Sequence, residues 1–382
     1  MKRIVASVFI FVFCINVEAQ TKYRVINSTK LNEQRELKIQ LPRNYDPKAE
    51  RTYPIVVVLD GDYLFEPVVG NIDYQAYWED IPDCIVVGVN QSTTRESDLS
   101  YDDETFFPVD NSADFYEFIA AEVLPFVEDN YKASKFRLIV GHNLSANYIN
   151  YFLFKDNPLF RAYIVLSPDF APEMINRLKQ RLAIVKDETF YCLATADDDI
   201  KALRSSILEC NEIMKSIENE KLNYSFNDFN DANHFSLVGQ GIPKALNAIF
   251  SLYRPIDAEE YKEKLLSYDG SPYDYLINKY ENIASFYGFE KEIIENDIRA
   301  IAAASKKKRD VASLEKLAKL IKNEFPNSML SAYYMGMYYE MEGNLKKALL
   351  RYKSGLMLEP SQYIDKEMIL EKMYDMEAAM KE

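Results

Sequence analysis

The chain has 382 residues, 48% of them hydrophobic, and a formal net charge of −15. This length and apolar content allow two packed domains and exclude a disordered chain. The acidic charge, with no basic stripe interleaved with aromatic residues, excludes nucleic acid as an expected partner. Two histidines, and cysteines without metal-ligand spacing, predict neither a metal site nor a cofactor. The acidic runs at 102–104 and 197–199 lack the spacing of an EF-hand calcium loop.

Residues 1–19 form a predicted signal peptide. Two basic residues precede an apolar run at residues 4–17, and small side chains stand at the positions that a signal peptidase inspects before Gln20. The run is too short to span a bilayer. We therefore expect an exported protein, periplasmic or secreted, with no transmembrane segment after cleavage.

Residues 20–255 alternate short apolar runs with longer amphipathic stretches, which predicts a mostly parallel sheet flanked by helices. The apolar runs are too uniform for half-exposed strands. Buried strands are predicted at residues 55–59, 84–89, 136–140, 162–166 and 190–194. Residues 112–130 place apolar side chains at helical spacing and predict a helix. Three cysteines in apolar surroundings are predicted to be buried, unpaired thiols: Cys84, Cys192 and Cys210.

A strand-turn-helix motif follows the predicted strand at 136–140. The chain continues as Gly-His-Asn-Leu-Ser-Ala over residues 141–146, and a helical pattern runs on to Phe154. Hydrolases present a nucleophilic serine on such a turn, written G-x-S-x-G, because small residues permit the sharp bend and the close packing of strand on helix. In this sequence Asn143 stands where that serine is expected.

Several further segments accompany the motif and resemble one known family. They are Leu41-Pro42 with Tyr45, Tyr53-Pro54, residues 58–62, residues 86–89, Arg95 with Asp98-Leu99, residues 118–125 and Leu166-Ser167-Pro168. Together with the Gly141-His142 of the turn, they are similar to the putative esterase family, which includes enterochelin esterases and the esterase D type. The similarity spans about residues 22–255 and implies an α/β-hydrolase fold. Family members with a tetratricopeptide-like tail are known, so we expect it to extend over most of the mature chain.

The resemblance also implies the roles of individual residues. Asn143 occupies the nucleophile position and His234 the position of the catalytic base. The acid is one of three adjacent candidates, among which the sequence does not choose: Asp197, Asp198 and Asp199. The expected donors of the oxyanion hole are the loop around Gly61 and Asp62 and the amide of Leu144.

Asn143 cannot replace serine chemically, because a carboxamide is neutral and an imidazole cannot deprotonate it for attack on an ester. The motif departs from the family a second time, since Ser145 and Ala146 stand where two glycines are usual. We expect Ser145 to hydrogen-bond the preceding turn, with a displaced nucleophile as the alternative. His142 is expected to be structural.

Residues 256–382 lose the strand pattern and predict a second, all-α domain. Within it, residues 329–360 fit the 34-residue tetratricopeptide pattern. The matching positions are Gly336, Tyr339, Ala348, Tyr352, Gly355 and Pro360. Two interpretations stay open: a helical hairpin packed on the first domain, or a groove that binds a peptide.

Two functional hypotheses follow from these patterns. In the first, the protein is an exported, catalytically inactive pseudo-hydrolase that acts in binding or as a scaffold. It would hold a small-molecule ligand in a vestigial cleft and dock an envelope protein or peptide through its helical domain. In the second, it is an active serine-type ester or acyl hydrolase that uses a non-standard nucleophile such as Ser145.

Overall fold

The computed structural model describes residues 21–43 and 45–381, so the predicted signal peptide lies outside the described residues. Eight strands form one sheet: β1 (Thr21–Ser28), β2 (Glu33–Gln40), β3 (Tyr53–Val58), β4 (Ile85–Val89), β5 (Ala133–His142), β6 (Ala162–Leu166), β7 (Thr189–Asp198) and β8 (Leu222–Asn233). Their order across the sheet is β1-β2-β4-β3-β5-β6-β7-β8. β1 and β2 pair in an antiparallel manner, β2 pairs antiparallel with β4, and all other pairs are parallel.

The prediction of a mostly parallel sheet flanked by helices is confirmed. Eight α-helices accompany the strands: α1 (Phe65–Tyr77), α2 (Arg95–Asp98), α3 (Asn111–Phe118), α4 (Leu124–Asn130), α5 (Leu144–Tyr148), α6 (Met174–Leu182), α7 (Lys201–Lys215) and α8 (Leu237–Ile249). A π-helical turn, Ile119–Val123, joins α3 to α4, and a 3-10 turn, Ile149–Leu153, extends α5. The carboxyl ends of β3 to β8 share one edge of the sheet, where catalytic groups of such folds lie.

Each face of the sheet has its own apolar core. One core lies under α3, α4, α6 and α7, and the other lies under α1 and α8. The strands β3 and β6 are fully buried along their length because parallel strands are covered on both faces. Cys84, Cys192 and Cys210 are buried, and within the described residues none is in a disulfide.

The rest of the chain is helical: α9 (Ala258–Glu260), α10 (Pro272–Tyr287), α11 (Glu295–Lys308), α12 (Val311–Glu324), α13 (Met329–Met341), α14 (Leu345–Gly355) and α15 (Lys366–Ala379). A 3-10 turn, Ser251–Tyr253, and a π-helical turn, Tyr261–Leu265, adjoin these helices. Side-chain N-caps start six of the described α-helices, five of them with Asp257, Ser271, Asp310, Ser328 and Asn344. Asp365 starts α15 in the same way. No helix among the described residues has the length and apolar character of a membrane span.

The helical region has a third apolar core and also reaches into the second one. Ile283 and Tyr287 of α10 lie in the core under α8, and the Tyr287 hydroxyl donates to the Ile249 carbonyl at 2.9 Å. Within the hairpin of α13 and α14, a Cβ on Gly336 would lie 2.5 Å from the Tyr352 ring. The small residue at this position lets the two helices approach closely, which is what the repeat pattern predicted for it. The peptide-binding role of the repeat stays a prediction.

Candidate active site

Asn143 lies at the apex of a sharp turn between β5 and α5. Its backbone angles are φ 59° and ψ −117°, a conformation that non-glycine residues rarely adopt. The Asn143 amide donates to the Leu166 carbonyl at 3.0 Å, which fixes the apex to the end of β6. A Cβ on Gly141 would lie 2.6 Å from backbone atoms of Ser145, so only glycine fits there. The turn therefore has the geometry of a strand-turn-helix nucleophile turn, and the carboxamide of Asn143 stands at its apex.

Ser145 is fully buried and bonded within the turn. Its Oγ accepts from the His142 amide at 2.9 Å and donates to the His142 carbonyl at 3.0 Å. Both bonds close the turn that carries Asn143. The hydroxyl is not free to attack a ligand in this arrangement.

His234 follows β8 and forms a hydrogen-bonded pair with Asp199, which follows β7. The His234 Nδ1 atom lies 2.8 Å from the Asp199 Oδ1 atom, and both side chains are buried. Because a carboxylate only accepts, Nδ1 carries the hydrogen and Nε2 is left as the basic nitrogen. This is the arrangement in which an acid orients a catalytic imidazole.

The carboxylate of Asp199 is held by several donors. Burial by itself raises the pKa of Asp199, but hydrogen bonds from Ser167, Thr195 and His234 outweigh it and hold the pKa below its usual value. The Thr195 hydroxyl donates at 2.7 Å and the Ile200 amide at 2.8 Å. Asp199 is thus an ionised, positioned partner for the imidazole.

The structure pairs His234 with Asp199 and not with the other two candidate acids. Asp197 and Asp198 are exposed at the end of β7. The Asp197 carboxylate accepts the amides of Asp231 and Ala232 at 3.2 and 3.3 Å, and these bonds lower its pKa. Successive side chains of a strand point to opposite faces of the sheet. Asp199 lies just after the end of β7, where the chain leaves the strand, and its side chain turns inward.

Sequence reasoning missed Ser167 as a member of the site. This residue follows β6 at φ 42° and is fully buried. Its Oγ lies 3.0 Å from the His234 Nδ1 atom and donates to Asp199, with 2.7 Å to Oδ2. The hydroxyl faces the nitrogen that already serves Asp199, so its role is to position the pair. Its neighbours Leu166 and Pro168 carried part of the family resemblance, which was the available signal.

His142 lies under the site and connects the turn to the loop of His234. Its Nε2 atom donates to the His234 carbonyl at 2.9 Å, and its Nδ1 atom lies 3.1 Å from the Tyr63 hydroxyl, which also donates to Asp60 at 3.1 Å. Burial, the largest effect, lowers the pKa of His142 to about 4. This low pKa keeps the His142 ring neutral. Its role is structural, because both of its nitrogens already contact other groups of the protein.

The loop after β3 faces the same edge, but Gly61 does not supply an oxyanion-hole donor. Its amide donates to the Val89 carbonyl at 2.8 Å, and a Cβ on Gly61 would lie 2.8 Å from the Val89 nitrogen. Gly61 is needed for close backbone contact. The prediction that Gly61 donates to an oxyanion was wrong. The amides of Asp62 and Leu144 have no hydrogen-bond acceptor among the described residues. These two N–H groups are the remaining donors for a ligand oxygen.

An ion pair between a half-buried arginine and a buried aspartate fixes this loop. The Arg95 guanidinium makes two bonds to Asp60, at 2.7 and 3.0 Å, and a third to the His142 carbonyl at 3.3 Å. Asp60 has φ 53° and is 2% exposed. The pair thereby ties the β3 loop to the turn beneath Asn143.

The described residues contain no group of three or more metal-ligating side chains that could hold an ion. Asp102, in the acidic run 102–104, accepts the Thr105 amide at 2.7 Å and serves as a local turn cap. Cavities of 450 to 530 Å³ open elsewhere on the described surface, and the residues of the site do not line them.

The sheet order, the parallel strands β3 to β8 and the turn after β5 define this part of the chain as an α/β-hydrolase fold. Residues 28–189 match the sequence profile of the family described as putative esterase. Residues 28–189 of this domain therefore carry the sequence pattern of that family.

Similar proteins extend the comparison beyond the matched segment. A solved structure of an uncharacterised protein from Capnocytophaga ochracea is 29% identical, with a TM-score of 0.80, and covers 94% of this chain and 100% of its own. Its coverage includes the helical region. An IroE-like serine hydrolase from Shewanella oneidensis, 18% identical, has a TM-score of 0.61 over 79% of this chain and 99% of its own, and shows the shared fold. Uncharacterized protein YjcH of Bacillus subtilis is 27% identical over 54% of this chain and 87% of its own length.

Proposed function

We propose that this protein is an exported pseudo-hydrolase, which binds a ligand at the esterase site without hydrolysing it. The observation that carries the proposal is the carboxamide of Asn143 at the apex of an intact nucleophile turn. A side-chain amide has no proton that an imidazole can remove and no lone pair free for attack. Neither neighbouring hydroxyl replaces it, since Ser145 closes the turn and Ser167 faces Nδ1 of His234.

The surviving groups support binding of a carbonyl compound. The amides of Asp62 and Leu144 are unsatisfied donors within the described residues, and such donors favour a ligand oxygen. Asn143 and Leu144 are both partly exposed, so a ligand can reach the apex. An ester or another acyl compound is therefore the ligand class that this site fits.

We also propose that the helical region contacts an envelope protein or peptide. Several large apolar side chains of this region are exposed to solvent: Leu350, Met357 and Tyr374, at 66%, 88% and 68%. Apolar side chains exposed together as one patch commonly mark a surface that a partner covers. The proposed export has a test of its own. N-terminal sequencing of the protein secreted by an intact cell is expected to begin at Gln20, and an unprocessed N-terminus would contradict export.

The alternative is an active hydrolase, and one observation favours it. The Asp199–His234 pair, at 2.8 Å, keeps the geometry of a working base. This alternative then requires one more component, a nucleophile other than a serine at position 143. Under this alternative the wild-type protein would form a covalent adduct with an acylating or phosphonylating reagent.

Intact-mass spectrometry after fluorophosphonate treatment separates the two functions. Wild type, Asn143→Ser and the double variant Asn143→Ser/His234→Ala are treated side by side. We expect no adduct on wild type, one adduct on Asn143→Ser, and strongly reduced labelling of the double variant, because the base must activate the serine. An adduct on wild type mapped to Ser145 or Ser167 would overturn the proposal.

A further inference from the structure

The backbone at Asn143 has a second chemical consequence. Its ψ angle of −117° turns the Leu144 nitrogen to the side of the Asn143 Cβ atom, so that the two are nearly eclipsed about the Cα–C bond. This is the torsion of a five-membered ring made of the Leu144 nitrogen and the Cα, Cβ, Cγ and carbonyl carbon of Asn143. Extended and helical residues hold these atoms apart. The turn therefore pre-organises Asn143 for closure of that ring.

The peptide group between Asn143 and Leu144 is also activated. The Leu144 amide has no acceptor among the described residues, so no hydrogen bond opposes its movement towards Cγ. The carbonyl oxygen of the same peptide accepts the amides of Asn147 and Asp169 at 3.2 and 3.3 Å. Donors on this oxygen stabilise the negative charge that develops when the amide nitrogen loses its proton. Both residues are partly exposed, which gives water access to the product.

We propose that Asn143 is a self-modification site that loses its side-chain amide through a succinimide. The deprotonated Leu144 nitrogen attacks Cγ of Asn143, a carbon–nitrogen bond forms, and the side-chain nitrogen leaves as ammonia. Water then opens the ring. Cleavage at the bond to Cγ yields aspartate, and cleavage at the backbone carbonyl yields isoaspartate. The balance is asparagine plus water to aspartate plus ammonia, with no change of oxidation state.

The modification would convert a neutral site into an anionic one. A carboxylate would then stand at the apex of the turn, beside the loop that carries His234 and Asp199. A ligand bound through its carbonyl oxygen would be repelled by this charge, whereas a cationic ligand would be favoured. The modification therefore goes beyond the proposed function, and its occurrence is independent of whether the site binds an acyl compound.

The chain contains its own matched control. Asn344 is also followed by leucine and is also partly exposed. Its ψ angle is 71°, and its side chain accepts the Lys347 amide at 3.2 Å as the N-cap of α14. The two asparagines have the same successor and differ in backbone conformation. Any excess modification at Asn143 thus reports on the fold.

Peptide mass spectrometry of the purified wild-type protein, aged for several days in mildly alkaline buffer, tests the proposal. We expect the Asn143 peptide to gain about one dalton, with an intermediate about 17 Da lighter than the starting peptide. The Asn143 rate is expected to exceed that of Asn344 by at least roughly tenfold in the native protein, because the ring atoms are pre-positioned. The two rates are expected to converge in urea.

Native rates that are equal at the two sites, or slower at Asn143, would overturn the proposal. An excess at Asn143 that persists in urea would also overturn it, because the cause would then be local sequence. The Asn143→Gln variant supplies the chemical control, since its longer side chain would require a six-membered ring and is expected to stay unmodified at this position. Because the readout is mass, its failure leaves the test of hydrolysis unaffected.

Discussion

Replacing Ser145 by alanine is expected to destabilise the hydrolase domain without affecting any chemistry at the site. The substitution removes two buried hydrogen bonds, at 2.9 and 3.0 Å, between Oγ and the backbone of His142. Each such bond contributes about 1 kcal/mol net, so the loss is about 2 kcal/mol. For a domain of this size, that corresponds to a fall in Tm of roughly 4–8 °C.

Ser112 provides a matched comparison away from the site. It is also fully buried, and its Oγ makes the same pair of bonds to the residue three positions earlier, Val109, at 2.9 and 2.8 Å. Ser112→Ala is therefore expected to cost about the same free energy of unfolding, about 2 kcal/mol. Urea unfolding of both variants can be followed through Trp78, the one tryptophan, which packs edge-on against Tyr77 at 5.1 Å.

The functional half of this prediction uses the Asn143→Ser background. Adding Ser145→Ala is expected to leave fluorophosphonate labelling of that protein in place at temperatures where the domain is folded. A Ser145→Ala variant as stable as wild type would refute the structural role. So would complete loss of labelling in a folded double variant, because Ser145 would then act in the chemistry itself.

Three further outcomes are expected. Because burial lowers the pKa of His142 to about 4 from 6.5, the stability that the neutral ring provides is complete above pH 6.5 and is lost as pH falls towards 4. Between pH 6.5 and 4, the free energy of unfolding of His142→Gln should therefore fall by roughly 3 kcal/mol less than that of wild type. Parallel curves of unfolding free energy against pH for the two proteins would contradict this. Gly141→Ala should cost at least about 3 kcal/mol by thermal unfolding, since its Cβ would meet Ser145 backbone at 2.6 Å; near-neutral stability would show that the turn can shift. Gly336→Ala should destabilise the helical region by about 1 kcal/mol net through the buried Tyr352 ring, and a gain in Tm would show that helix propensity wins.

The central strands could be predicted because they are buried on both faces. β3 and β6 are continuous apolar runs, and the prediction for residues 162–166 matches β6 residue for residue. β1, β2 and β8 were missed. In β8 the sequence is rich in asparagine and aspartate and most of it is only half-buried, so neither an apolar run nor a clean alternation marks it. Pairing with a neighbouring strand, which is a tertiary effect, determines that these segments form strands.

The helix predicted at residues 112–130 forms with an internal irregularity. Pro125 has no amide hydrogen to donate to the preceding turn, and the π-helical turn Ile119–Val123 lies immediately before it. Apolar spacing predicted the buried face, with Phe115, Phe118 and Val123 all fully buried. The change of hydrogen-bond pattern within the helix is invisible to a periodicity argument.

The turn at Asn143 could be predicted because strand, small residue and helix follow each other in the sequence. The choice of Asp199 over its two neighbours could not, since three successive aspartates differ only in where β7 ends. The role of Ser167 depends on the spatial approach of β6, β7 and the loop of His234. Such convergence at one edge of a sheet requires the fold.

The most direct test of the central claim is a rapid-mixing measurement of acyl-enzyme formation with an activated chromogenic ester. Wild type is expected to give no burst of leaving group, because no nucleophile stands at Asn143. Asn143→Ser is expected to release about one equivalent per protein molecule in the burst, since a serine there can be acylated with His234 as base. A burst from wild type that disappears in His234→Ala would contradict the account and show that this chain is a working hydrolase.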